Sequence, residues 1–178
     1  MRIESGTPAP IMELPQLDGS LFSTASLEGR PYLLSFYRFA GCPFCNLRMH
    51  QLVERYDELG PDFELVAVFD SPLDNLQEHA SKHDAPFPVL ADAQNTYYRM
   101  FGIEKSVWGV LKGMILRFPT LMKGMLKGYV PLKIKGSMIT MPADFLVRPD
   151  GIVQYAHYGR DEGDHMPFDD VVSFARAL

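Results

Sequence analysis

Two short apolar runs with a helical pattern between them constrain this chain most. Residues 32–39 read YLLSFYRF and residues 65–69 read LVAVF. Neither run shows polar alternation, which is the pattern of strands covered on both faces in a parallel sheet. Between them Cys45, Met49, Leu52, Tyr56 and Leu59 recur at helical spacing, and Gly60-Pro61 stops the helix. Asn46, Arg48, Glu54, Arg55 and Glu58 fall off that apolar stripe. The result is a strand–helix–strand unit whose crossover is expected to be right-handed.

The rest of the chain extends this unit. LPQLDGSLFS predicts a small hairpin around Asp18-Gly19. Residues 71–83 read as a helix with Pro72 in its first turn, 88–91 as a short strand and 93–101 as a further helix. Residues 145–147 and 152–158 form a hairpin around Arg148-Pro149-Asp150-Gly151, and a last helix opens at 164–167 with Asp169 and Asp170 in its first turn. Helices on both faces of a mixed sheet make an α/β layer fold. At 178 residues the simplest organisation is one domain, 1–178, with an insertion at about 104–138. The start of the chain carries no apolar signal core and no run of about 18 apolar residues occurs, so a soluble, cytoplasmic protein is expected.

The two cysteines, Cys42 and Cys45, stand C-x-x-C between the first strand and the helix. Pro43 suits the first helical position, and the free amides and positive dipole of the helix start favour a thiolate at Cys42. Cys42 is therefore the expected nucleophile, exposed at the helix mouth. Cys45, one turn inside, is placed to attack a bond formed on Cys42. Arg38 and Arg48 are expected to add positive charge. Two cysteines are too few for a four-ligand zinc site and cannot staple an extracellular scaffold, so the pair reads as a redox couple.

The stretches FSTASLEGRPYLLSFYRFAGCPFC, FPVLADAQNTYYRMFGI and MPADFLVRPDGIVQYAHYG resemble the thioredoxin-fold superfamily. More closely, they resemble the peroxiredoxin-like redoxins of the alkyl hydroperoxide reductase/thiol-specific antioxidant family. The resemblance implies a thioredoxin-like fold and a cis-proline facing the cysteine pair. That position is Pro142, with Met141 lending its backbone to the substrate. Met141, Pro142, Pro43 and Phe44 then form the substrate-binding set.

Three departures bear on the chemistry. Typical peroxiredoxins carry a threonine or serine three residues before the reactive cysteine and a proline seven before. Here those positions hold Phe39 and Ser35. They also place an arginine three before the strand phenylalanine, where this chain has Pro142; Arg38 and Arg148 are the nearest substitutes. Thioredoxins bury an acid six before the nucleophile, where this chain has Phe36, so the base serving Cys45 is a water, Glu28 or Asp144. The first reading is thiol–disulfide oxidoreductase, with Cys42 attacking and Cys45 resolving. The alternative is a thiol peroxidase acting through a Cys42 sulfenic acid, and a third is a non-catalytic binding module on a redoxin fold. The expected partners are a protein or small-molecule disulfide, or a peroxide, together with a thiol reductant. Neither chemistry needs an organic cofactor or a metal.

The insertion is basic. From Glu104 to Lys135 it carries Lys105, Lys112, Arg117, Lys123, Lys127, Lys133 and Lys135 against Glu104 alone, in a chain with 17 bases and 22 acids. Lys112-Gly113-Met114 and Lys123-Gly124-Met125 repeat eleven residues apart, and Pro119 is expected to kink or split the helix. Trp108, Leu111, Ile115 and Phe118 share a face that Met122, Met125 and Tyr129 continue. That face is expected to pack on the domain or to form a homodimer interface, with a docking surface for an acidic partner as a further reading. Membrane contact is not expected, because glycines weaken the helix and no lipidation signal accompanies it. The block matches no nucleic-acid module, so nucleic acid is not an expected partner. Because the insertion runs directly into Pro142, part of it is expected to roof the active site. In GRDEGDH, 159–165, Asp164 is expected to cap the last helix and the other acids to be solvated.

Overall fold

The protein is described here from a computed structural model covering residues 2–129 and 134–178. Lys133 of the basic block lies outside the described residues. In chain order, β1 (Glu13–Pro15) and β2 (Leu21–Ser23) pair as the expected small hairpin. Then come β3 (Tyr32–Tyr37), α1 (Pro43–Glu54), β4 (Glu64–Phe69), α2 (Leu73–Ala80), β5 (Val89–Ala91) and α3 (Thr96–Met100). The insertion supplies α4 (Val107–Leu116) and α5 (Phe118–Leu126). The chain closes with β6 (Ala143–Val147), β7 (Val153–Tyr158) and α6 (Phe168–Arg176).

The main sheet runs β5-β4-β3-β6-β7, with β3, β4 and β5 parallel and β6 and β7 antiparallel. All six residues of β3 are buried, as a central strand requires. Its side chains alternate between two cores, as the two-residue pleat dictates. Leu33 and Tyr37 join Met49, Leu52, Leu65 and Val171 on the α1–α6 face. Leu34 and Phe36 join Val66, Tyr98, Phe101 and Phe145 on the other. Each fully buried leucine or phenylalanine there is worth roughly 1.5–3 kcal/mol over its exposed state. The fold is thioredoxin-like α/β.

Several elements differ in length for local reasons. The helix expected over 71–83 ends at Ala80 and tightens into a 3-10 turn at Ser81–His83. The helix expected from 93 starts at Thr96, because the Asp92 carboxylate accepts the amides of Thr96, Tyr97 and Tyr98 and Asn95 turns left-handed before it. Pro119 splits the insertion helix, with α5 beginning one residue before it. Asp164 does not cap α6, whose N-cap is Pro167. Instead Asp164 accepts the amide and the guanidinium of Arg160 within its own loop.

The ends of the insertion meet. The Ser106 amide donates to Ile139 O at 2.7 Å, the Met141 amide to Glu104 O at 3.0 Å, and Lys105 bridges Thr140. The returning leg is pinned by Asp70, whose carboxylate accepts Thr140 Oγ1 at 2.7 Å and the Ser137 amide at 3.3 Å. Gly136 follows this path with φ +115°, and a Cβ there would lie 1.9 Å from Asp70 O. Glycine is the residue that accommodates both constraints.

Candidate active site

Strand β3 delivers the chain to the site and Cys42 becomes the N-cap residue of α1. The connecting loop is held by hydrogen bonds from several elements. The Cys42 amide donates to Phe39 O at 3.0 Å and the Ala40 amide to Ser71 Oγ at 3.1 Å. Asn46 Nδ2 donates to Ala40 O at 2.8 Å and Cys42 O at 2.9 Å, while its Oδ1 lies 2.8 Å from His83 Nε2. Because Asn46 sits off the apolar stripe, its sequence position gave no sign that it is 3% exposed and braces this loop.

Cys42 and Cys45 are free thiols and both are fully buried. This corrects the expectation of an exposed Cys42; the insertion covers the helix mouth. Arg38 Nη1 lies 3.6 Å from Cys42 Sγ, and Nη2 donates to Met138 O at the return of the insertion. Burial by itself pushes the Cys42 thiol up. A hydrogen bond with Cys45, the Arg38 charge, and the amides of Cys45 and Phe44 outweigh it and bring Cys42 to about 7. Burial and the shared proton push Cys45 in the opposite direction, well above the ordinary thiol range. The two sulfurs are thus poised as a thiolate and a proton-holding thiol.

The other sequence-expected residues divide. Arg38 reaches the sulfur. Arg48 does not: it donates to Met166 O at 2.7 Å and Gln51 Oε1 at 2.9 Å. Pro43 and Phe44 are buried beside Cys42, Pro43 against α5. The Met141–Pro142 bond is trans, correcting the cis-proline expectation. Met141 is tied into the insertion neck through Glu104, so its amide already has a partner. Glu28 is exposed near the start of β3, at the opposite end of the strand from Cys42. Asp144 is buried and committed to Ser35 Oγ (2.5 Å), His165 Nδ1 (3.0 Å) and the Met166 amide (2.7 Å). Although burial opposes ionisation, His165, Arg48 and Ser35 hold the Asp144 carboxyl well below the usual range.

The roof is made by glycines. A Cβ on Gly124 would lie 2.9 Å from Pro43 Cβ, and one on Gly113 only 2.0 Å from Glu162 Oε2. The eleven-residue repeat therefore marks two of the points where α4 and α5 press onto the site, and Gly109, whose Cβ would lie 2.6 Å from Met141 Sδ, marks another. The apolar face expected to pack on the domain points outward instead, with Trp108 at 78% and Ile115 at 67% exposed. The acids of 159–165 are not solvated either. Asp161 pairs with Arg117 at 2.7 Å, and Glu162 is 1% exposed with neither carboxylate oxygen hydrogen-bonded among the described residues. Burial raises the Glu162 carboxyl, and the Arg38 charge partly offsets it. A groove of ≈ 640 Å³ lies alongside, lined by Phe44, Arg48, Lys123 and Lys127 among others, and does not include Cys42.

The sequence profile of the AhpC/TSA family matches residues 5–156. The chain belongs to that family. A Coxiella burnetii (strain RSA 493 / Nine Mile phase I) protein named peroxiredoxin bcp is 30% identical over 106 residues, covering 58% of this chain and 69% of that protein. The chloroplastic Peroxiredoxin Q of Oryza sativa subsp. japonica is 24% identical over 113 residues, 63% of this chain and 52% of its own length. The match thus spans only about half of that relative. Among solved structures, Peroxidoxin BcpB from Mycobacterium tuberculosis superposes with TM-score 0.65 at 19% identity over 99% of both chains. A thioredoxin-family thiol:disulfide interchange protein from Chlorobium tepidum TLS does so with TM-score 0.55 at 24% identity over 96% of both. These two share the fold. The chain is an oxidoreductase of the thioredoxin fold, in the class of thiol peroxidases and disulfide oxidoreductases.

Proposed function

We propose that the chain is a thiol peroxidase, with Cys42 the attacking and Cys45 the resolving sulfur. The observation that carries this reading is the Arg38 guanidinium 3.6 Å from a fully buried Cys42 sulfur. A protein disulfide needs an open sulfur and a free backbone amide beside it, whereas the Cys42 sulfur is buried and the Met141 amide is already paired with Glu104 O. A small peroxide needs only a brief opening, a thiolate and a cation. Arg38 takes the place of the family's absent arginine by holding the thiolate and facing the peroxide oxygen that the thiolate attacks.

The Cys42 thiolate attacks one peroxide oxygen and the O–O bond breaks. The leaving hydroxide takes up a proton and departs as water, while the sulfur is oxidised by two electrons to a sulfenic acid. Cys45 then attacks that sulfur, releases a second water and forms the Cys42–Cys45 disulfide. A thiol reductant returns both sulfurs to thiols. The Cys45 proton is retained until this step, consistent with a thiol held above its ordinary range.

A second reading, thiol–disulfide exchange, is favoured by the same depressed Cys42 thiol beside a protonated Cys45. Peroxide treatment of a Cys45→Ser variant separates the two. The peroxidase reading expects a Cys42 sulfenic acid that dimedone traps stoichiometrically at low peroxide. A Cys42 that stays reduced while the wild-type protein reduces a protein disulfide sinks it.

A further inference from the structure

The insertion presents the same pattern to solvent twice. In α4, Gly113 turns inward, and Val107, Leu111 and Ile115 turn out at 68%, 46% and 67% exposure. Eleven residues on in α5, Gly124 turns inward, and Phe118, Met122 and Leu126 turn out at 56%, 39% and 84%. Lys112 and Lys123 occupy the matching exposed position beside each inward glycine. Trp108 extends the outward face. Lys105, Lys112, Lys123 and Lys127 are exposed and form no ion pair among the described residues, and no acid occurs from 105 to 129. Among the described residues of the insertion, Arg117 and Lys135 pair with Asp161 and Asp74.

Gly113 and Gly124 are packed against the domain, so the glycine ground for not expecting membrane contact falls away, and we infer that the α4–α5 face is a docking surface for an anionic lipid bilayer, lying in the headgroup layer with its apolar side chains inserted. An apolar helix face with a tryptophan and flanking lysines is the composition of an interfacial element. Lysine stems cover apolar surface while their charges stay with the headgroups. No helix among the described residues is long and apolar enough to cross the bilayer, so the contact is peripheral. Charge selects this occupant over a second copy of the chain. A symmetric dimer would bring two sets of unpaired lysines, and no acid, into one interface whose core is normally depleted of lysine. An anionic surface neutralises every one of them. The acidic remainder of the chain would be held away from it, which fixes orientation.

Trp108 is the chain's one tryptophan, so its fluorescence reports this face alone. The full-length reduced protein is titrated with vesicles of phosphatidylcholine, with or without one-third phosphatidylglycerol, at low and physiological salt, alongside sedimentation of the bound fraction. The expected result is a blue shift and co-sedimentation with the anionic vesicles, weakening as salt rises. Changing Lys112→Gln and Lys123→Gln together is expected to weaken partitioning about 30-fold, at about fivefold per lysine. Ile115→Ser with Leu126→Ser is expected to abolish the blue shift. All four side chains point to solvent, so these variants keep the fold and an unchanged Cys42 thiol titration. Absence of any shift or sedimentation overturns the proposal, as does equal, salt-independent binding to phosphatidylcholine alone. So does a concentration-dependent blue shift without lipid that tracks a dimer in sedimentation equilibrium.

Discussion

Arg38→Met tests the electrostatics of the candidate site. In the wild-type protein Arg38 Nη1 lies 3.6 Å from Cys42 Sγ, and its charge helps bring the buried Cys42 thiol down to about 7. Two unit charges at that distance interact by about 4–5 kcal/mol at an effective dielectric of about 20, an upper bound near three pKa units. Methionine also leaves room for water, which returns part of this. An opposite charge at such range is commonly worth about 1–3 units, so the variant is expected to titrate at about 9. At pH 7 the thiolate then falls from about half of the molecules to about 1%, and any thiolate reaction slows about 50-fold. Absorbance at 240 nm from about pH 5 to about pH 9, below tyrosine ionisation, reads the whole wild-type titration and the rising half of the variant's. Only one thiolate forms in this window in the wild-type protein, because Cys45 is held well above it. Arg38→Lys keeps the charge and is expected to fall between the two. Peroxide oxidation measured against pH separates a second role: a loss that persists above the new pKa reports Arg38 acting on the peroxide itself. A variant that still titrates at about 7 would refute the reasoning and credit the Cys42 thiolate to its hydrogen bonds with Cys45 and the helix amides.

Gly124→Ala places a methyl 2.9 Å from the rigid Pro43 ring, so α5 must move off α1; the expected result is at least tenfold faster labelling of Cys42 by a bulky disulfide reagent, with about 1–3 kcal/mol lost in urea unfolding. Asn46→Ala removes the donor to Ala40 O and Cys42 O, and is expected to cost about 1–3 kcal/mol and to loosen the loop in hydrogen exchange around residues 40–42. Burial, with Lys82 and His50 nearby, lowers the His83 imidazole from 6.5 to about 4. The unfolded state therefore binds the proton first, and stability present above pH 6.5 is lost as pH falls toward 4. Urea unfolding across that window is expected to show the decline, and His83→Gln to flatten it.

The strands and the cysteine-bearing helix were legible because residues 32–39 and 65–69 carry their burial in an uninterrupted apolar pattern. The family departures at Phe39, Phe36 and Pro142 were legible too, but not what replaces them. Arg38 was one of two candidate cations, and nothing local distinguishes it from Arg48; only the path of the insertion, through Met138 O, selects it. The insertion misleads for a physical reason. Hydrophobic periodicity assumes that the apolar side of a helix seeks the core, yet Gly113 and Gly124 allow a closer approach than any side chain permits. They win the contact, and the apolar side faces out. The neck that joins Glu104–Ser106 to Ile139–Met141 takes up the Met141 amide, which nothing in the local sequence announces. Glu162 was invisible because an acid in GRDEGDH looks solvated until α4 covers it.

Peroxidase chemistry at a roofed, arginine-assisted Cys42 is tested most directly by stopped-flow mixing of the fully reduced protein with hydrogen peroxide, with product mass read after quenching. The account predicts oxidation orders of magnitude faster than a free thiolate at the same pH, ending in one Cys42–Cys45 disulfide and two fewer hydrogens. Oxidation at the rate of an ordinary thiolate, in a protein that rapidly reduces a protein disulfide, would contradict it.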